Sequence, residues 1–227
     1  WLILMPEPCL IDNDVVLKIA AYGLHEYAIG TLKVAGAKPA MLGVGRFVVR
    51  KKVTNKEKFH NPEAAESSAA EFLKALQVVE PTDVEIELAA DLEARAVELG
   101  ESFDTGEAQL LAVLLTRKSP ALVTGDKRAI QAISKLEEPT AHGRVICLEQ
   151  LITHLTTVVP VEILRDHVCG EPVVDKAMTN CFACSSMGCF DLDLKTLLAA
   201  LNSYIEDLRA NSNGVLVANY DVLSLTT

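Results

Sequence analysis

Acidic side chains occur at three places where a predicted helix begins. They are Asp12 and Asp14, Asp104 and Glu107, and Asp126. Each of them can cap a helix, and for any single one capping is the commoner role. Several carboxylates that converge on one crevice repel one another, and a divalent cation relieves that repulsion. Because this set offers only oxygen ligands, the sequence favours Mg²⁺ or Mn²⁺ over a softer metal.

Short apolar runs alternate with helical stretches along the first 150 residues, and they position these acidic side chains. The runs at 9–11, 121–124 and 144–147 predict buried strands, and Asp12 and Asp126 follow the first two. The alternation predicts an α/β fold with a parallel sheet. In such a fold the carboxyl ends of the strands form the edge at which ligands bind.

Further helices are predicted from apolar spacing between the first two of these strands. One lies near residues 40–52, and its apolar face would consist of Leu42, Val44, Phe47 and Val48. Asn61 and Pro62 mark the start of the next helix. Asp83 would cap a third helix, with Ile86 and Ala89 on its buried face.

Three segments of this pattern resemble the motifs of PIN-domain proteins, the superfamily that includes VapC-like toxin ribonucleases. They are Leu10-Ile11-Asp12-Asn13-Asp14-Val15-Val16, Asp104-Thr105-Gly106-Glu107-Ala108-Gln109-Leu110-Leu111-Ala112 and Leu122-Val123-Thr124-Gly125-Asp126, in the order of the family. The resemblance implies a three-layer, Rossmann-like α/β/α sandwich with a central parallel sheet over residues 5–158. A helical, cysteine-containing extension over residues 159–227 lies outside it.

The resemblance also implies an activity, the cleavage of single-stranded RNA by an endoribonuclease that depends on Mg²⁺ or Mn²⁺. Such a protein could be the toxin of a toxin–antitoxin pair, with an antitoxin or another regulatory protein as its partner. Catalysis is assigned to Asp12, Glu107 and Asp126, metal binding to these three and Asp104, and support of the site to Asp14 and Thr124. The family usually has a further glutamate on the helix that covers residues 41–50, where this chain has no acidic residue. Asp14, Glu63 or Glu66 would then replace it.

Basic side chains are concentrated in the first part of a chain whose formal net charge is −10. This net charge argues against a protein that coats nucleic acid by bulk positive charge, but a local basic patch remains compatible with binding. One such patch comprises Arg46, Arg50, Lys51, Lys52, Lys56 and Lys58. From it we predict that Arg46 and Arg50 bind substrate phosphates, together with Lys127 and Arg128 beside Asp126.

Six cysteines without export features predict reduced thiols or a metal site rather than a disulfide framework. Cys169, Cys181, Cys184 and Cys189 could form a structural zinc site, but their spacing is irregular, and buried free thiols are the favoured interpretation. The apolar runs are shorter than the ~20 residues that a membrane span needs. We therefore expect a cytoplasmic protein without membrane segments.

The extension contains a predicted amphipathic helix. Its apolar stripe consists of Leu194, Leu197, Leu198, Leu201, Ile205 and Leu208. This stripe must pack either on the chain's own domain or on a second copy, and the sequence slightly favours a homodimer.

Two other functions fit parts of the same pattern. A phosphatase of the haloacid dehalogenase kind would use Asp12 and Asp14 as its nucleophile and acid pair and Asp126 in its metal motif. The chain lacks that family's usual threonine after Asp14 and a second aspartate shortly after Asp126. The other alternative is a PIN-fold binding module that has lost catalysis with the missing glutamate.

Overall fold

Five short parallel strands form the centre of the computed structural model, which describes residues 7–33, 37–186 and 192–218. The strands are β1 (Leu10–Ile11), β2 (Ala40–Leu42), β3 (Gln77–Val79), β4 (Leu122–Thr124) and β5 (Val145–Cys147). They lie in the order β3-β2-β1-β4-β5, and each hydrogen-bonded pair is parallel. The predicted α/β fold with a parallel sheet is therefore confirmed.

Eleven α-helices occur in the described residues. They are α1 (Asn13–Ala21), α2 (His25–Thr31), α3 (Gly43–Val53), α4 (Pro62–Ala75), α5 (Asp83–Glu98), α6 (Thr105–Arg117), α7 (Lys127–Lys135), α8 (Leu148–Leu155), α9 (Val161–Gly170), α10 (Lys176–Cys181) and α11 (Leu194–Ala210). None of the described helices is both long and apolar enough to span a bilayer.

Successive strand residues point to opposite faces of the sheet and supply two separate hydrophobic cores. Ile11, Val123 and Ile146 belong to the core that α1, α2, α4 and α8 cover, whereas Leu10 and Leu122 belong to the core under α5, α6 and α7. Helices on both faces of a parallel sheet are consistent with a three-layer sandwich.

Helix α3 presents a different face from the predicted one. Val44 and Phe47 are 56% and 70% exposed, while Gly45, Val49 and Val53 are buried. At Gly45 the amide oxygen of Asn13 occupies the space that a Cβ atom would need, so the absence of a side chain lets α3 pack closely here. The prediction of an apolar face through Val44 and Phe47 was therefore wrong.

The prediction for α5 was also partly wrong. Thr82, rather than Asp83, is its N-cap residue and forms a capping box with Glu85. Ile86 is exposed, whereas Ala89 is buried as predicted. The neighbouring Glu85 is buried instead, and it forms an ion pair with Arg117 of α6.

The extension packs against the rest of its own chain. In α11, Leu197 and Leu201 join the first core, and Ile205 and Leu208 join the second. Beyond α11, Leu216 forms a parallel bridge with Val145 at the free edge of β5. Four of the six stripe residues are thus buried without a second copy, whereas Leu194 is 44% exposed. Both the homodimer and the domain division at residue 158 stay predictions.

A disulfide joins Cys169, at the end of α9, to Cys184, and their Cα atoms are 5.2 Å apart. The preference for free thiols was wrong for this pair, because α10 brings the chain back beside α9 at a distance that a disulfide spans. Two of the four predicted zinc ligands are thereby used, and Cys189 lies outside the described residues. Cys181 is a buried free thiol.

Candidate functional site

Asp12 occupies the end of β1, at the middle of the sheet's carboxyl edge. It is the N-cap residue of α1, and its Oδ1 accepts a hydrogen bond from the backbone N–H of Asn13 at 2.6 Å. Its Oδ2 lies 3.3 Å from the Thr124 hydroxyl, which also accepts a hydrogen bond from the backbone N–H of Asp126. Thr124 therefore connects two of the predicted metal ligands, and Asp12 is only 8% exposed.

Asp104 and Glu107 form a capping box at the start of α6. The Asp104 carboxylate accepts from the Glu107 N–H at 2.9 Å, and the Glu107 carboxylate accepts from the Asp104 N–H at 2.8 Å. Glu107 also lines a small pocket of about 10 Å³ together with Asp12 and Thr124, and the rest of the lining, which includes Leu110, is apolar. The structure thus places Asp12, Glu107 and Thr124 around one pocket. Asp104 also has the predicted capping role, at the start of α6.

The carboxylates of this edge perturb one another. Burial raises the pKa of Asp12 to about 6, and the charges of Asp14 and Asp104 add to the increase. Burial likewise raises the pKa of Glu107 to about 7, with contributions from Asp104, Asp126 and Asp12. Asp12, Asp14, Asp104, Glu107 and Asp126, which we name the acidic cluster, therefore lie within electrostatic reach of one another.

Asp126 differs from the other members because Arg128 neutralises it. Asp126 is the N-cap residue of α7, and Arg128 donates to it from the backbone N–H at 2.8 Å and from Nη2 at 2.9 Å. Burial alone would raise the pKa of Asp126, but the hydrogen bonds from Arg128 outweigh it and lower this pKa. The predicted phosphate contact of Arg128 is thus an ion pair with a predicted metal ligand.

Asp14 connects the acidic cluster to the extension through Lys18. The Lys18 ammonium lies 2.7 Å from Asp14 Oδ2 and 2.7 Å from Asp175 Oδ2. A Cβ atom on Gly125 would stand 2.5 Å from the same Asp14 oxygen, so this carboxylate lies over the turn between β4 and α7. Sequence analysis missed Lys18, although its position four residues after Asp14 on one helix was a usable signal.

The ligand chemistry of the acidic cluster fits Mg²⁺ or Mn²⁺, because every donor is an oxygen and the shared charge disfavours the metal-free state. The side chains do not converge as they stand. Glu107 faces the Asp104 N–H and Asp126 faces Arg128. Within the described residues, no three Asp, Glu, His or Cys side chains are gathered around one point that could hold an ion. Metal binding would therefore require Glu107 to turn away from the Asp104 N–H and Asp126 to turn away from Arg128.

Three of the predicted phosphate-binding residues are placed away from the acidic cluster or are already engaged. The Lys127 ammonium lies 3.2 Å from the buried Glu149 carboxylate and 4.5 Å from the centre of the Tyr204 ring. Arg50 lines a groove between α3 and α4. No hydrogen bond or ion pair joins Arg46 to the cluster in the described part of the chain, and Arg46 is half-buried on α3.

The replacements considered for the missing glutamate also have defined positions. Glu66 lines the groove that contains Arg50, and Glu63 is exposed on α4. Neither contributes to the raised pKa of Asp12, whereas Asp14 does. Glu80, which sequence analysis missed because it did not predict β3, follows that strand and contacts Gly43 at the start of α3. Asp14 is therefore the best-placed replacement.

Replacing Arg128 with glutamine is expected to tighten Mn²⁺ binding by a few-fold in the absence of RNA. The change removes a cation that competes with the metal for both oxygens of Asp126. Isothermal titration calorimetry of both proteins at pH 8 measures this effect. Weaker Mn²⁺ binding by the variant would mean that Arg128 instead holds Asp126 in place for the metal.

The acidic cluster, the Thr124 hydroxyl and the neighbouring cations Lys18 and Arg128 thus lie at the carboxyl edge of a parallel sheet. Open α/β proteins bind their ligands at this edge. Comparisons of the chain with models of protein families, with curated proteins and with solved structures find no match.

Proposed function

We propose that this protein is an endoribonuclease that depends on Mg²⁺ or Mn²⁺ and cleaves single-stranded RNA at the acidic cluster. The observation that carries the proposal is the shared pocket of Asp12, Glu107 and Thr124, in which burial and neighbouring carboxylates raise the pKa of both acids. An arrangement that is costly without a cation is typical of a metal site. The choice of RNA as substrate follows from the resemblance of the three motifs to PIN-domain ribonucleases.

Each side chain has a distinct part in this proposal. Asp12 and Glu107 would hold the metal, with Asp104 and Asp126 as the adjacent ligands. Thr124 fixes the orientation of Asp12 through its hydroxyl. A bound divalent ion supplies a water of lowered pKa and neutralises charge on the phosphate. Arg128 would move from Asp126 to the substrate when the ion binds, because its side chain is largely exposed and free to turn.

The test is cleavage of an end-labelled single-stranded RNA by the full chain, with Mn²⁺ and with EDTA, next to p-nitrophenyl phosphate under the same conditions. We expect internal RNA cuts only with Mn²⁺, and no release of p-nitrophenol. Metal-dependent release of p-nitrophenol without RNA cleavage would favour a phosphatase. RNA binding without any cleavage would favour a binding module.

A further inference from the structure

A groove of about 410 Å³ opens beside the acidic cluster. It lies between α1, the 3₁₀ turn Lys56–Lys58 that follows α3, and the loop 171–175 of the extension. Its lining includes Asp14, Lys18, Lys52, Lys58, Phe59 and Val174. The volume lies within the range of about 300–1,000 Å³ that is usual for small-ligand sites.

The groove borders the acidic cluster at Asp14. This carboxylate lines the groove and also lies over Gly125, the residue between Thr124 and Asp126. A chain that occupies the groove would therefore pass next to the predicted metal ligands.

The walls of the groove are fixed by contacts between the extension and the first part of the chain. The buried Glu171 carboxylate accepts hydrogen bonds from the backbone N–H groups of His60 and Asn61, at 2.7 and 2.5 Å. On the other side, Asp175 is paired with Lys18. A groove that is already formed loses little ordering entropy when it binds a ligand.

Two lysines of the groove are available to bind an anion. Lys18 is balanced by Asp14 and Asp175. Lys52 and Lys58 are exposed, and neither has an ion-pair partner in the described residues. Glu57 is the remaining acid of the lining, so with Asp175 the charges around the groove cancel, and a phosphate would be held by these two unpaired ammonium groups rather than by a surplus of charge.

Apolar side chains lie next to these lysines. Val173 is 68% exposed at the rim of the groove, and Leu17, Val174 and the half-buried ring of Phe59 form the rest of its apolar lining. Proteins that bind single-stranded nucleic acid combine cations for phosphates with aromatic and apolar side chains for unpaired bases. The groove contains both kinds of contact within one small volume.

We infer that this groove binds one nucleotide of a single-stranded RNA, with a phosphate on Lys52 and Lys58 and the base against Phe59 and Val173. The extension then forms one wall of the substrate site. The inference rests on the proposed function for the identity of the ligand, and it adds a subsite that the resemblance does not cover.

The test measures binding of a fluorescently labelled single-stranded RNA decamer to the full chain by anisotropy, in EDTA and over a range of salt concentrations. We expect the double variant Lys52→Ala/Lys58→Ala to bind about tenfold more weakly, with a shallower salt dependence by up to about 0.7 per lost phosphate contact. Val173→Asp, which adds a negative charge at an exposed position, should weaken binding as well. Lys38→Ala/Lys74→Ala is the matched control, because it removes two exposed lysines near the opposite edge of the sheet.

Equal weakening by the two double variants would mean that only bulk charge matters, and it would overturn the inference. Wild-type binding by Lys52→Ala/Lys58→Ala, or no RNA binding by the wild type, would overturn it as well. The proposed function fails separately. If the wild type binds RNA through this groove but never cleaves it with Mn²⁺, the groove stands and the nuclease proposal fails. If cleavage occurs and its KM is unchanged in the double variant, the nuclease proposal stands and the groove fails.

Discussion

Asp12→Asn is expected to reduce Mn²⁺-dependent RNA cleavage at least about a hundredfold, because it removes a central ligand of the metal. The protein should stay folded. Asparagine keeps one oxygen that can accept the hydrogen bond from the Asn13 N–H, and its amide nitrogen can donate to the Thr124 hydroxyl oxygen. Single-turnover cleavage of labelled RNA measures the loss, with Glu87→Gln as a control that removes an exposed carboxylate from α5.

The same substitution should raise the melting temperature of the metal-free protein above pH 6. The pKa of Asp12 is raised from 3.8 to about 6, so the folded state loses stability as the pH rises through this window and the carboxylate ionises. The shift corresponds to about 3 kcal/mol at pH 8, which Asp12→Asn recovers. The gain should disappear below about pH 4, where the wild-type carboxyl is protonated in both states. An unchanged melting temperature at pH 8 would contradict the predicted cost of keeping the ionised Asp12 carboxylate buried beside other acids.

Arg117→Met is expected to lower the free energy of unfolding by about 3 kcal/mol, because it leaves the Glu85 carboxylate buried without its cation. Glu85 is only 3% exposed, and Arg117 donates to it from Nε and Nη2, both at 2.7 Å. Urea denaturation at pH 7 measures the loss. Arg50→Met provides the control at an exposed arginine with no hydrogen bond in the described residues.

The double variant Arg117→Met/Glu85→Gln should lose less stability than Arg117→Met alone, because no bare charge is then left buried. The hydrogen bonds from Arg117 lower the pKa of Glu85 from 4.5 to about 2. The stability that this pair contributes is therefore present above pH 4.5 and is lost as the pH falls towards 2. If Arg117→Met loses the same free energy of unfolding relative to the wild type at pH 7 and at pH 3, this account is contradicted.

The strands and helix starts that the sequence predicted correctly have strong local signals. The strands β1, β4 and β5 are rich in branched apolar residues, and Asp12 and Asp126 directly precede the helices that they cap. By contrast, β2 and β3 have three residues each and only two β-branched side chains between them, both in β3. Their strand structure depends on pairing with neighbours distant in sequence, which local propensity does not encode.

The predictions for α3 and for Cys169 and Cys184 of the extension were wrong because packing between elements distant in sequence decides both features. The buried face of α3 passes through Gly45, where the Asn13 side chain takes the space of a Cβ atom, and Phe47 lies on the exposed side. The Cys169–Cys184 pairing depends on how α9 and α10 are folded together, and spacing alone cannot identify it. The placement of Asp12, Glu107 and Thr124 at one edge of the sheet was predictable, because the carboxyl ends of parallel strands and the helix starts beside them share that edge.

The partners of the basic residues were less predictable, since they come from elements packed after the sheet has formed. Lys127 binds Glu149 of α8 and the ring of Tyr204 on α11, and no sequence signal connects these three positions. Lys18 likewise gains its second carboxylate from Asp175 in the extension. A run of charge in the sequence therefore does not identify which carboxylates its lysines contact.

Titration of Mn²⁺ into the full chain, followed by the electron paramagnetic resonance signal of the free ion at pH 8, tests most directly whether the acidic cluster is a metal site. We expect saturable Mn²⁺ binding by the wild type and by Glu87→Gln, and its loss in Asp12→Asn and in Glu107→Gln. Binding should also weaken as the pH falls below about 7, where Glu107 and then Asp12 become protonated. Equal binding by the wild type and both cluster variants, or no saturable binding at all, would contradict the account.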